Sequence, residues 1–452
     1  MLGLGLSLNI FKGCVNLKYL HANLSAIKSI LKFNRKNLLF AIQGDSTADN
    51  DDEWWNTFIK DYISKYPEWN YYRRKWNHAN QSYGEIVNQV EGNNGYKYAR
   101  ITSDGGNQVI STPDNNDLDV VGDIEISCKI SLDNWKPSTT TCILEKWTIA
   151  GQRSYMLLIN ATSGTISLYW SDDGTNIFNI DSAVAPTVTN GEDLYLKITF
   201  DVDNGSGGKS ANFYQSSNGD TWTQIGGTVT QAGTTSIFAG TNLVRLGSYS
   251  NGTSWHLNGK LYTVTIKDGI DGTHVLMFDA AMHYTGTTLK DLLGLTYTLV
   301  NGVTMIGGMS LQGLNGCITG QIASYATARI ANMIPVEADL NFINYAHNEG
   351  AEIDYTDYKT LIDALRAAYP RMGIVCCTQN QQNITEPNYL THGIRNSQIS
   401  KYAGVTNSIL IDFFKECLNY EILEITSGDN VHPSENGHRI WANYALRVFK
   451  NA

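Results

Sequence analysis

Three side chains at two distant places carry the chemistry open to this sequence. An apolar run, Leu38-Leu39-Phe40-Ala41-Ile42, leads into Gly44-Asp45-Ser46-Thr47, which sets a serine on a turn directly after a strand. Near the other end stands Asp429-Asn430-Val431-His432-Pro433, an acid and a histidine three residues apart. A serine hydroxyl is a weak nucleophile until a base takes its proton, and an imidazole does so best when a carboxylate holds its other nitrogen. Ser46 is the candidate nucleophile, His432 the candidate base, and Asp429 the group that would fix the imidazole tautomer. Taken singly these motifs are weak, since Gly-Asp-Ser suits many turns and a histidine before a helix is often a surface cap. Together they point to nucleophilic acyl transfer.

Such a site needs elements that bring residues 46 and 432 together. Strand 38–43 is apolar on both faces, as in a buried parallel sheet. The acids Asp49, Asp51, Asp52 and Glu53 precede a segment with Trp54, Trp55, Phe58, Ile59, Tyr62 and Ile63. That spacing predicts a helix with acids at its positive end. After about Gly307, a helix is predicted over 321–333, a strand over 339–345 and a helix over 355–369. Strands follow near 372–377 and 408–413, then a last helix from about Pro433, a good first-turn residue. Alternating strands and helices imply a parallel sheet flanked by helices.

Between these halves the texture changes. Short alternating runs such as Ile124–Ile130, Tyr155–Ile159, Thr165–Trp170, Leu194–Phe200 and Leu261–Ile266 are separated by Asp173-Gly174, Asn204-Gly205, Asn218-Gly219, Asn251-Gly252 and Asn258-Gly259. Many short strands with such turns predict a β-sandwich. The expected organisation is a leader helix over 1–36, an α/β part over 37–91, the inserted sandwich over 92–304, and the rest of the α/β part over 305–452. In the leader, Leu17, Leu20, Leu24, Ile27 and Leu31 form a seam of about two heptads. It serves either to dock an amphipathic helix or to join copies of the chain into a homo-oligomer.

At 452 residues the chain has room for two or three domains. The net charge of -10 argues against nucleic acid and anionic membrane as partners, and no apolar run reaches the length of a membrane span. The 25 Tyr and 10 Trp fit either sugar stacking or tyrosine-rich β-domains without ligand. The seven cysteines are scattered and lack metal-ligand spacing, so they read as mostly buried thiols. Cys128 and Cys142 fall on strands that could be neighbours. No cofactor is expected, and no dense carboxylate loop calls for calcium in the sandwich. The N-terminus lacks the basic region of a secretory signal, and Gly13-Cys14 lacks the charges of a lipoprotein site.

With Gly44-Asp45-Ser46 and Asp429-x-x-His432 in place, the chain resembles the SGNH (GDSL-like) hydrolases. Asn315-Gly316-Cys317-Ile318-Thr319-Gly320 is similar to the second block of that family and Ala346-His347-Asn348-Glu349 to the third. The resemblance implies a flavodoxin-like three-layer α/β/α sheet and ester hydrolysis through a Ser46–His432–Asp429 triad. It also implies an oxyanion hole from the backbone of Ser46 and Gly320 and the side chain of Asn348. The family's third block reads Gly-x-Asn-Asp, and here Ala346 and Glu349 stand at its first and last positions. Gln81-Ser82-Tyr83-Gly84 is a competing second block; Gly320 is preferred because a helical segment follows it. His347 has no acid at matching spacing.

The insert resembles concanavalin-A-like, laminin-G-like lectin jelly-rolls in Gly122-Asp123-Ile124-Glu125-Ile126, Ser171-Asp172-Asp173-Gly174 and Leu257-Asn258-Gly259-Lys260-Leu261-Tyr262. The layout is similar to esterase modules of bacteriophage tail fibres and tailspikes. That resemblance implies an O-acetylated polysaccharide as substrate and a place on a virion tail or outside the cell without a signal peptide. The rival reading is a glycan-binding adhesin with a dead α/β part; a thioesterase has no evident use for the sandwich.

Overall fold

The apolar run after Asn37 folds as strand β1 (Leu38–Gly44), buried at every residue but Leu39, as a strand with both faces covered must be. The structure is a computed structural model and describes residues 17–148, 151–349 and 355–451. Gly13-Cys14 lies outside these. Contacts divide the chain into two units. One comprises the described residues up to Tyr66 with those from Gln312 onward, and the other Pro67–Leu311. By contacts, residues 67–91 and 305–311 fall in the second unit.

In the first unit β1 is joined by β2 (Met309–Asn315, of which Gln312–Asn315 belong to this unit), β3 (Leu340–Asn344), β4 (Gly373–Cys377) and β5 (Ile409–Ile411), in the order β5-β4-β3-β1-β2. The pairs β1–β3, β3–β4 and β4–β5 are parallel, with Phe40 opposite Leu340, Leu340 opposite Gly373, and Val375 opposite Ile409. Chain order reverses between β1 and β3. The crevice beyond the carboxyl ends of strands at such a reversal is where open α/β sheets take ligands.

The helices of this unit are α1 (Leu17–Phe33), α2 (Trp54–Ile63), α3 (Ala323–Thr327), α4 (Ile330–Met333), α5 (Thr356–Ala368), α6 (Tyr389–Val405), α7 (Phe413–Cys417), α8 (Ile422–Ile425) and α9 (Glu435–Asn451). Phe342 of β3 meets Trp54, Trp55 and Phe58 of α2 and Phe449 of α9 at ring-centroid distances of 6.0–6.4 Å. Phe413 stacks on Trp441 at 4.4 Å. These rings form one aromatic layer over the sheet. In a second helical group, Tyr358 of α5 donates its hydroxyl to the Ile343 carbonyl at 2.8 Å and Arg395 of α6 reaches the Ala346 carbonyl at 3.1 Å. Leu24, Ile27 and Leu31 of the leader seam are buried within the chain itself.

Two expectations about helices need correction. The helix over 321–333 is broken into α3 and α4 at Arg329, whose φ of -131° is not helical. Its guanidinium lies over the Tyr325 ring and donates to the Tyr325 carbonyl at 3.2 Å, the acceptor a continuous helix would have used. The last helix starts at Glu435, not Pro433. Ser434 caps it, accepting the Gly437 N–H at 3.1 Å, while Pro433 pairs with Thr426.

The second unit holds two antiparallel sheets around one core. Ile126 and Ile130, Leu196 and Phe200 come from one sheet, and Leu144, Leu157 and Leu168 from the other. Alternating residues face inward, the two-residue period read from the sequence. The strands Trp69–Asn77 and Val87–Val90 pair with each other. Arg74 pairs with Asp279, and His274 with Glu85. Asn70 donates to the Met309 carbonyl at 3.2 Å, so the entry and exit of the insert are tied together, the condition under which an insertion is tolerated. Cys128 lies in the core on one sheet. Cys142 lies on the other sheet in a separate cluster with Trp147, Met156 and Leu158. The two do not face each other, and all six described cysteines are free and buried.

Candidate active site

Ser46 lies two residues past the end of β1, half-buried, on a turn. Gly44 is required for that turn: a Cβ there would stand 2.9 Å from the Asn344 carbonyl oxygen and from Cys317 Sγ. The Asp45 N–H donates to the Asn344 carbonyl at 3.3 Å, tying the turn to β3. Asp45 itself points inward and is fully buried. Its carboxyl accepts the Thr47 N–H and hydroxyl at 3.1 and 2.8 Å, and Gln379 Nε2 at 3.0 and 2.9 Å. Asp45 is thus the anchor of the turn, and Ser46 is the residue left facing outward.

The loop between α8 and α9 supplies the other two groups. The Ser427 N–H donates to the His432 carbonyl at 2.8 Å, and Asn430 takes φ +60°, which asparagine tolerates better than most residues. Asp429 Oδ1 accepts Ser427 Oγ at 2.7 Å, the Val431 N–H at 2.9 Å and the His432 N–H at 3.0 Å. Its Oδ2 faces His432 Nδ1 at 2.5 Å, and His432 Nε2 faces Ser46 Oγ at 2.6 Å. Desolvation works to raise the Asp429 carboxyl. The bonds from Ser427, Val431 and His432 outweigh it and hold the group well below the usual carboxylate range. An ionised Asp429 beside Nδ1 favours the tautomer with the proton on Nδ1, leaving Nε2 free to accept from Ser46.

The loop after β2 comes to the same place. The Ile318 N–H donates to the Gly44 carbonyl at 3.0 Å. Gly320 takes φ +78° with open space where a Cβ would be. The Asn348 side-chain amide donates to the carbonyl of Gln321, the residue after Gly320, at 3.2 Å. One amide hydrogen remains for another acceptor. Glu349, at the last position of that block, turns inward to accept the Ala323 N–H at 2.9 Å and the Tyr355 hydroxyl at 2.8 Å. Burial raises its carboxyl. His347 is buried, its ring 5.7 Å from that of His432, and burial together with His432 pushes it down to about 3. The competing block Gln81–Gly84 lies in the second unit, on a hairpin. Sequence reading missed the loop after β4, where Gln379 and Asn380 stand. The clue was polar residues directly after a buried strand of the same sheet.

Among the described residues, no group of three or more His, Cys, Asp or Glu could hold a metal ion, and no helix is long and apolar enough to cross a membrane. No protein-family profile matches the chain, and a search of curated proteins returns no match. Solved structures similar to part of it include Axe2, an acetylxylan esterase from Geobacillus stearothermophilus. That protein is 23% identical over 31% of this chain and 73% of its own, with a TM-score of 0.28. A member of the lipolytic protein G-D-S-L family from Veillonella parvula is 23% identical over 31% of this chain and 82% of its own, also at 0.28. An alpha/beta hydrolase enzyme from the metagenome of Lake Arreo, Spain, is 18% identical over 31% and 73%, with a TM-score of 0.28.

Proposed function

We propose that the first unit is a serine ester hydrolase of SGNH type, with Ser46 as nucleophile, His432 as general base and then acid, and Asp429 as the group that orients it. The observation that carries this reading is the unbroken hydrogen-bonded line from Ser46 Oγ through His432 to Asp429. Ser46 Oγ attacks the acyl carbon while His432 Nε2 takes its proton. The tetrahedral intermediate collapses, His432 returns the proton to the leaving alcohol, and the acyl group stays on Ser46. Water, deprotonated by His432, then releases the acid. The backbone N–H groups of Ser46 and Gly320 and the Asn348 amide would receive the oxyanion. Each such donor typically supplies about 3 kcal/mol.

The substrate we propose is a small acyl ester, most simply acetyl, carried on a polysaccharide outside the cell. The side chains of His432 and Asp429 remain 36% and 49% exposed, which suits a pendant group on a polymer better than a long acyl chain that needs an enclosed apolar slot. The sandwich would hold the polymer. Trp222, with Lys197 over its ring at 4.7 Å, and Trp255, stacked on Tyr249 at 4.4 Å, are half-buried, whereas Trp135, Trp147 and Trp170 are buried. The test is acetate release from native bacterial polysaccharides, with chemically deacetylated ones as blanks and folded Ser46→Ala as control. Release that depends on Ser46 supports the enzyme. Binding without release supports the adhesin.

A further inference from the structure

We propose that Asn380, working with His347, is a positioning residue that fixes His432 for proton transfer. This rests on the triad reading above. The Asp429–His432 pair is itself partly exposed to solvent, and a polar pair at the surface contributes little to stability. A buried group also holds the loop. Asn380 is fully buried just past β4. Its Nδ2 donates to the carbonyl of Val431, the residue before His432, at 2.9 Å, and to the Gln381 carbonyl at 2.9 Å. Two residues beyond Gln381, the Asn383 N–H donates to the Asn430 carbonyl at 3.0 Å. The β4 loop therefore grips the backbone of residues 430 and 431 from the protein side.

Asn380 is in turn held by two imidazoles. Its Oδ1 accepts His347 Nε2 at 3.3 Å, and its backbone carbonyl accepts His392 Nε2 at 2.8 Å. With Nε2–H given to Asn380, His347 Nδ1 accepts from Gln382 Nε2 at 3.3 Å. His347 is then a neutral ring in one tautomer. It stacks on His392 at 4.5 Å and 11°, and its other neighbour is the His432 ring at 5.7 Å. The arrangement limits the tilt of His432 through a ring beside it and the backbone before it. A displacement of about 1 Å between reacting groups can cost on the order of 10²-fold in rate.

The test uses the full chain. Asn380→Asp keeps the volume and the acceptor for His347 but replaces the donor to Val431 with an oxygen. Turnover of an aryl acetate and the rate of Ser46 labelling by a fluorophosphonate are measured beside circular dichroism. The expected result is a fall on the order of 10²-fold in both kcat and labelling rate, with KM nearly unchanged. A folded Asn380→Asp that labels Ser46 at the wild-type rate overturns the inference. Should that variant not fold, His347→Leu decides. It removes the ring beside His432 and the partner of Asn380 Oδ1, and wild-type labelling in this variant overturns the inference equally. Absence of labelling in the wild-type chain overturns the triad reading itself, and this inference with it.

Discussion

Asp429→Asn is the substitution whose cost can be worked out most directly. In the native loop Oδ1 accepts three hydrogen bonds, from Ser427 Oγ and from the Val431 and His432 N–H groups. An asparagine will keep its carbonyl there and turn its NH₂ to His432 Nδ1. That forces the imidazole proton onto Nε2, where it blocks acceptance from Ser46. Flipping the amide to restore the productive tautomer turns its NH₂ against the Val431 and His432 N–H groups and gives up those two hydrogen bonds, roughly 2–3 kcal/mol, which leaves on the order of one molecule in a hundred competent. The carboxylate charge opposite the developing imidazolium is lost as well. The combined fall in kcat should be on the order of 10³- to 10⁴-fold, or about 4–5.5 kcal/mol. Steady-state hydrolysis of an aryl acetate at neutral pH measures it. A folded variant within about tenfold of wild type would refute the claim that Asp429 sets the tautomer.

Gln379→Leu removes the amide that bonds both oxygens of buried Asp45 and should destabilise the first unit by about 2–3 kcal/mol in urea unfolding; an unchanged midpoint would show that the Ser46 turn does not depend on it. Burial, partly opposed by bonds from Asn50, pushes the Glu53 carboxyl up from 4.5 to about 7. The native state then binds a proton that the unfolded chain has released, so stability should fall as pH rises through that window and level off above it. Glu53→Gln should flatten this slope, with a gain over wild type on the order of 3 kcal/mol at most above pH 7, and parallel pH–stability curves would contradict it. Ile27→Ala, at a 4% exposed position of α1, should cost about 2–5 kcal/mol of stability, measured by thermal unfolding. A neutral effect would mean that the α1 seam is not part of this unit's core.

The residues of the site differ in how much of their geometry is local. Asp429 and His432 share one turn, and Ser46 follows a strand whose two apolar faces announce a central position, so their places could be read from short spacings. The strands β3, β4 and β5 were legible for the same reason, as apolar runs bounded by turns. Helix α6 was not, because its buried face carries His392, Arg395 and Asn396 instead of an apolar stripe. Gln379 and Asn380 escaped notice because their partners, Asp45 and Val431, lie hundreds of residues or a whole loop away and leave no periodic mark. The pairing of Arg74 with Asp279 is a long-range electrostatic contact that no local pattern reveals.

The most direct test of the central claim is to trap the covalent intermediate. The full chain would be mixed with an aryl acetate, quenched in acid during turnover, digested and examined by mass spectrometry. An acetyl group on the peptide containing Ser46, absent in Ser46→Ala and accumulating in a variant slow to deacylate, is the predicted result. Undiminished hydrolysis by folded Ser46→Ala, with the acyl group elsewhere or nowhere on the chain, would contradict it.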